Sequence, residues 1–95
     1  MDSRLTLCVD FDGVIFDGLR IFPGCVEALA RLQKIYRISI YSARLTAAER
    51  QQMKSILDNG KVPYDEILER KPEAVAYIDD KAVKFEGWDK IPCAF

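Results

Sequence analysis

The chain has 95 residues, 49% of them hydrophobic and 31% charged, with a formal net charge of −1. That length gives a single domain, residues 1–95, with a small core, and the near-neutral charge supplies no overall field to draw nucleic acid or an anionic membrane. No apolar run reaches the roughly 18 residues of a membrane span, and Met1-Asp2-Ser3-Arg4 with its short apolar sequel lacks a signal-peptide layout, so a cytoplasmic location is expected.

The first element is the stretch Leu5 to Gly13, Leu-Thr-Leu-Cys-Val-Asp-Phe-Asp-Gly. Its continuous apolar run predicts a strand buried on both faces, as in a parallel sheet. Asp10 then falls at the strand's C-terminal end, where open α/β sheets place ligands. Positions i and i+2 of an extended segment face the same way. Asp10 and Asp12 therefore aim two carboxylates at one spot, and their repulsion calls for a cation or a shared proton. Asp17-Gly18, between two apolar runs, predicts a small hairpin standing over that spot.

Pro23-Gly24 opens a helix over 24–34, with Cys25, Leu29 and Leu32, and Val26 beside them, as its apolar stripe. Arg37 to Tyr41 reads as the second strand and ends at Ser42. Thr46 and Glu49 form a capping box for a helix that runs to about Asp58. Met53, Ile56 and Leu57 line one of its faces, and Asn59-Gly60 stops it. Tyr64 to Leu68 is a short edge strand. Glu69-Arg70-Lys71-Pro72 is a polar connection, and Ala74 to Ile78 is a buried strand ending in Asp79-Asp80. A short helix is expected from Lys81, and Trp88 and the tail 91–95 should pack back onto the sheet. Alternating strands and helices predict a three-layer, Rossmann-like α/β fold with a parallel sheet covered on both faces.

The strand ends carry the chemistry. Asp10 and Asp12, Ser42, and Asp79 and Asp80 each follow an apolar strand, and Lys71 sits in the loop before the last one. A parallel sheet gathers such ends along one edge. Several carboxylate oxygens together suit Mg²⁺, while a hydroxyl and an ammonium suit phosphoryl oxygens. The set points to phosphoryl transfer. The chain has no His, which removes Ser-His-Asp and Cys-His machinery and most zinc chemistry. Cys8, Cys25 and Cys93 have no C-x-x-C spacing and read as small buried residues.

These residues resemble the haloacid dehalogenase (HAD) superfamily. Asp10-Phe11-Asp12-Gly13-Val14 matches its first motif, D-x-D-G-[TV]; Ser42 matches the second, Lys71 before Pro72 the third, and Asp79-Asp80 the fourth. All four stand in the family's order over nearly the whole chain. The resemblance implies a HAD-like fold and a Mg²⁺-dependent phosphohydrolase. Asp10 would be the nucleophile that becomes an aspartyl phosphate, and Asp12 the acid and then the base. Ser42 and Lys71 would bind the phosphoryl group. Asp10, Asp12 (through its carbonyl), Asp79 and Asp80 would bind the metal, Asp80 directly or through water. Phe11, between the acids, should point into the structure.

No interval between the motifs exceeds a hairpin or one helix and one short strand, so no cap domain is expected. The resemblance then implies an open site, as in capless members that act on large phosphorylated substrates or borrow a partner as a lid. A homo-oligomer stays open. The chain is short for the fold, so a peripheral strand should be missing or come from the tail. Two other readings compete. A signalling receiver domain also lines acids, a hydroxyl and a Lys along a sheet edge, but has its acid pair after the first strand and a lone phosphoacceptor Asp after the third. A non-catalytic binding module would show a substitution at Asp10 or Asp12, and both acids are intact.

Overall fold

The structure is a computed structural model that describes residues 3–43, 46–70, 73–79, 83–84 and 86–92. In chain order the elements are β1 (Leu5–Asp10), α1 (Cys25–Gln33), β2 (Tyr36–Tyr41), α2 (Ala47–Asn59), β3 (Glu66–Leu68), β4 (Ala76–Asp79), β5 (Val83–Lys84) and a 3₁₀ turn (Trp88–Lys90). The sheet runs β3-β2-β1-β4-β5, and every pairing in it is parallel. β5 is a two-residue addition to a four-stranded parallel sheet. Its pairing, Ile78 with Val83 and Asp79 with Lys84, puts strand where the helix expected from Lys81 would continue, while Lys81 and Ala82 lie outside the described residues. It also supplies the short peripheral strand.

β1 is the central strand. It pairs with β2 along its whole length, Leu5 with Tyr36 through Asp10 with Tyr41, and with β4 from Leu7–Ala76 to Val9–Ile78. Leu7, Cys8 and Val9 are consecutively buried, as a strand covered on both sides requires.

The helices, however, share one face. The steps β1 to β2 and β2 to β3 go the same way across the sheet, and right-handed crossovers then place both helices on one side. Leu7, Val9, Ile38, Ile40 and Ile78 form one core with Cys25, Leu29 and Leu32 of α1 and Met53 and Leu57 of α2. The apolar stripes read from the sequence are the ones buried. The opposite face carries Thr6, Cys8, Arg37, Ser39, Glu66 and Tyr77, and no described helix covers it. Helices were expected on both faces; among the described residues both lie on one, while Cys8 and Ser39 on the other face are nonetheless buried, 1% and 0% exposed. On that face Ser39 Oγ donates to Glu66 Oε1 at 2.6 Å and Arg37 grips the same carboxylate at 2.9 and 3.2 Å. Bonding to Arg37 and then Ser39 holds the Glu66 carboxyl below its usual range.

A second polar network closes the sheet's N-terminal edge. Arg4 reaches Asp65 at 2.8 and 3.3 Å and the carbonyls of Gln33 and Tyr36 at 2.8 and 3.2 Å. Asp65 also accepts from the Ile38 amide at 2.8 Å. Burial pushes the Asp65 carboxyl up, but the bonds from Arg4, Ile38 and Gln33 outweigh it and the net shift is downward.

The ends of α2 show how local sequence sets local structure. Thr46 Oγ1 accepts from the Glu49 amide at 3.1 Å and Glu49 Oε1 from the Thr46 amide at 3.4 Å, the reciprocal box read from the sequence. At the other end the left-handed residue is Lys61, at φ 56°, and not Gly60, at φ −81°. The Val62 amide bonds the Leu57 carbonyl and the Lys61 amide the Asp58 carbonyl, a Schellman closure. Gly60 is needed for another reason: a Cβ there would run into the Ile21 side chain.

Two expectations follow. Lys61→Gly should raise stability by about 1 kcal/mol, because a side chain is strained at positive φ, as chemical denaturation would measure. Asp65 and Glu66 have depressed folded pKa values, so their contribution is complete above the ordinary carboxylate range and is lost as pH falls through it. The melting temperature should therefore drop between about pH 5 and pH 3, and Arg4→Ala should flatten that drop.

Candidate active site

The order 3-2-1-4-5 reverses direction between β1 and β4, the switch point where open α/β sheets form a crevice beyond their strand ends. Asp10 ends β1 there. Val9 pairs with Ile78, so Asp79 stands one residue past that pair in β4, level with Asp10. The side chain of Asp79, and the whole of Lys71 and Asp80, lie outside what the structure describes.

Beyond Asp10 the chain keeps one more sheet bond, from the Phe11 amide to the Tyr41 carbonyl at 3.0 Å, and then turns away. The amides of Val14, Ile15 and Phe16 converge on the Phe11 carbonyl at 3.4, 2.9 and 3.0 Å. The Gly13 amide bonds the Phe16 carbonyl at 2.9 Å, with Gly13 at φ 80°. Only glycine adopts that angle without strain. Phe11 is fully buried and stacks on Phe16 with ring centroids 5.5 Å apart, as expected of the residue between the acids. Asp12 is exposed.

Ser42 directly follows β2 and is 7% exposed. Its Oγ lies 3.5 Å from Asp12 Oδ2, longer than a good hydroxyl–carboxylate bond. Asp10, Phe11, Asp12, Tyr41, Ser42 and Ala43 line one cleft of about 120 Å³. Three of the residues singled out in the sequence, Asp10, Asp12 and Ser42, are thus together. Tyr41 and Ala43 were not singled out; their position on either side of Ser42 at a strand end was the available signal. A larger groove of about 690 Å³ lies between the start of α1 and Trp88. It mixes Glu27 and Asp89 with Arg31 beside Ala28, Trp88 and Ile91 and holds none of the residues singled out at the strand ends.

The expected hairpin is present. Phe16 pairs antiparallel with Ile21, and the Asp17 amide donates to the Arg20 carbonyl at 3.0 Å. The turn centres on Gly18 and Leu19 rather than on Asp17-Gly18, with Gly18 at φ 102°. Asp17 instead closes the turn, its Oδ1 accepting from the Leu19 and Arg20 amides at 2.7 and 2.8 Å. Those bonds, Arg20 first and Leu19 next, lower its pKa. Leu19, at the tip, is 92% exposed.

Asp10 and Asp12 offer hard oxygen donors of the kind Mg²⁺ takes. Among the described residues no group of three or more His, Cys, Asp or Glu side chains forms a metal site, so the described part of the cleft is half of the expected donor set. Among the described residues, Cys8 and Cys25 are buried and unbridged, and burial pushes the Cys25 thiol up to about 12; Cys93 lies outside the described residues.

Comparison with protein-family models, curated proteins and solved structures found no match. No described helix is long and apolar enough to cross a membrane.

Gly13→Ala should cost about 1–2 kcal/mol through its positive φ alone, since a Cβ at that site meets no atom within 4 Å. Thermal unfolding of the variant, with ring-shifted Phe11 and Phe16 proton resonances as a readout of the turn, would check this.

Proposed function

We propose that the protein is a HAD-like, Mg²⁺-dependent phosphohydrolase that cleaves phosphomonoesters through an aspartyl phosphate on Asp10. The observation that carries this reading is the convergence of Asp10, Asp12 and Ser42 on one cleft beside the β1–β4 switch point. A receiver-like module is less well supported, because that fold orders its strands 2-1-3-4-5 and this sheet runs 3-2-1-4-5.

In this mechanism an Asp10 carboxylate oxygen attacks phosphorus. The new P–O bond forms as the bond to the leaving oxygen breaks, and Asp12 donates the proton that oxygen needs. Asp12, now a carboxylate, takes a proton from water. That water attacks phosphorus, inorganic phosphate departs, and Asp10 is restored. Ser42 Oγ donates to a phosphoryl oxygen, and Lys71 balances phosphoryl charge. Asp10, Asp12, Asp79 and Asp80 would hold the Mg²⁺ ion, which supplies the neutralisation that lets a phosphate dianion approach a carboxylate. Nothing larger than the hairpin stands between Asp12 and α1. An open cleft of this kind suits a phosphate on a large molecule, and a second subunit could close it.

Phosphate release from a panel of sugar phosphates, nucleotides, nucleic-acid ends and phosphopeptides tests the reading. Turnover should require Mg²⁺, stop with chelator, and fall about a thousandfold or more in Asp10→Asn. Folded protein that binds Mg²⁺ yet hydrolyses nothing in the panel would overturn it.

A further inference from the structure

The turn that carries Asp12 is held from a remote part of the chain. Trp88, in the 3₁₀ turn after β5, is 3% exposed, and its Nε1 donates to the Val14 carbonyl at 3.1 Å. Val14 lies two residues after Asp12 and is itself buried. A buried carbonyl stripped of its donor keeps the full cost of its desolvation, so this bond favours one position of the turn over others. The backbone on the far side of the same turn is held by the Phe22 amide on the Ile15 carbonyl at 2.8 Å.

The turn carries Asp12 two residues before the Val14 carbonyl, so where the turn sits sets where the Asp12 carboxylate stands. We propose that Trp88 is a positioning residue for Asp12: its indole N–H, through the Val14 carbonyl, sets the distance from the Asp12 carboxyl to the leaving oxygen. This rests on the reading of Asp12 as the acid of a phosphohydrolase. Proton transfer needs heavy atoms about 2.6–3.2 Å apart. Asp10 and Ser42 are placed by β1 and β2 and do not depend on Trp88.

A misplaced acid has a signature that general loosening lacks. Alkyl phosphates need the leaving oxygen protonated, whereas p-nitrophenyl phosphate, with a stable leaving anion, does not. The experiment compares kcat/KM for glycerol 2-phosphate and p-nitrophenyl phosphate in wild type, Trp88→Phe, and a protein in which Trp88 is replaced by its benzothienyl isostere. The isostere keeps the ring shape and loses only the N–H, so it answers for a Trp88→Phe protein that fails to fold. The alkyl substrate should lose about tenfold or more and the aryl substrate under about threefold. Equal losses on both substrates, or none, would overturn the proposal. If wild type hydrolyses neither, the phosphohydrolase reading is what has failed. Amide resonances of the Asp12–Phe16 turn in the isostere protein then decide the positioning alone: displaced resonances support it, and unchanged ones overturn it.

Discussion

In a parallel sheet the strand ends that can carry chemistry lie along one edge, and here the direction of winding reverses at the central strand. β1 pairs with β2 on one side and β4 on the other, so the crevice between β1 and β4 cannot be bridged by the short β1–β2 and β2–β3 connections. Asp10, at the end of β1, therefore stands at the point where such sheets leave a space beyond their strand ends. The tight turn at Phe11 makes use of it. By collecting three amides on one carbonyl, the chain leaves the sheet directly after Phe11 and keeps Asp12 on the cleft that Asp10 lines. The buried Phe11 ring anchors the segment between the two acids.

The opposite edge of the sheet is built for permanence. Arg4 and Asp65 join the chain before β1, the end of α1, and the starts of β2 and β3 in one partly buried network. A half-buried ion pair held by several hydrogen bonds fixes register better than it adds net stability. Register is what the other edge requires, because a slip of one residue would turn Asp10 to the helix-covered face. The ladder Arg37–Glu66–Ser39 on the face opposite the helices acts in the same sense between β2 and β3.

Much of this was legible in the sequence because the signals were local. The unbroken run before Asp10 read as a central strand, Thr46 and Glu49 as a capping box, and the apolar stripes of α1 and α2 as the core faces. Asp10, Asp12 and Ser42 could be placed together from strand ends alone. What failed was set by tertiary context. The one-sided helices follow from strand order, which single-strand patterns do not encode. Gly60 looked like a left-handed cap, but the space taken by Ile21 explains the glycine, and Lys61 carries the strained angle. Val83-Lys84 took a place beside β4 in preference to a helix. Trp88 read as core, which it is; its bond to Val14 joins residues far apart in the chain and has no sequence signature.

The pairing of β1 with β4 has a consequence for how the molecule comes into being. Leu7 must wait for Ala76, and Val9 for Ile78, whereas β1, β2 and β3 with both helices connect through steps of shorter range. Contacts between distant segments pay their loop-closure entropy before they return anything, so this pairing forms late. On the ribosome the β1 carboxylates emerge well before their counterparts in β4. A nascent chain thus presents Asp10 before the strand that will flank it has been made, and the β4-facing edge of β1 stays unpaired until that strand docks. Completion of the fold and completion of the crevice are then a single event.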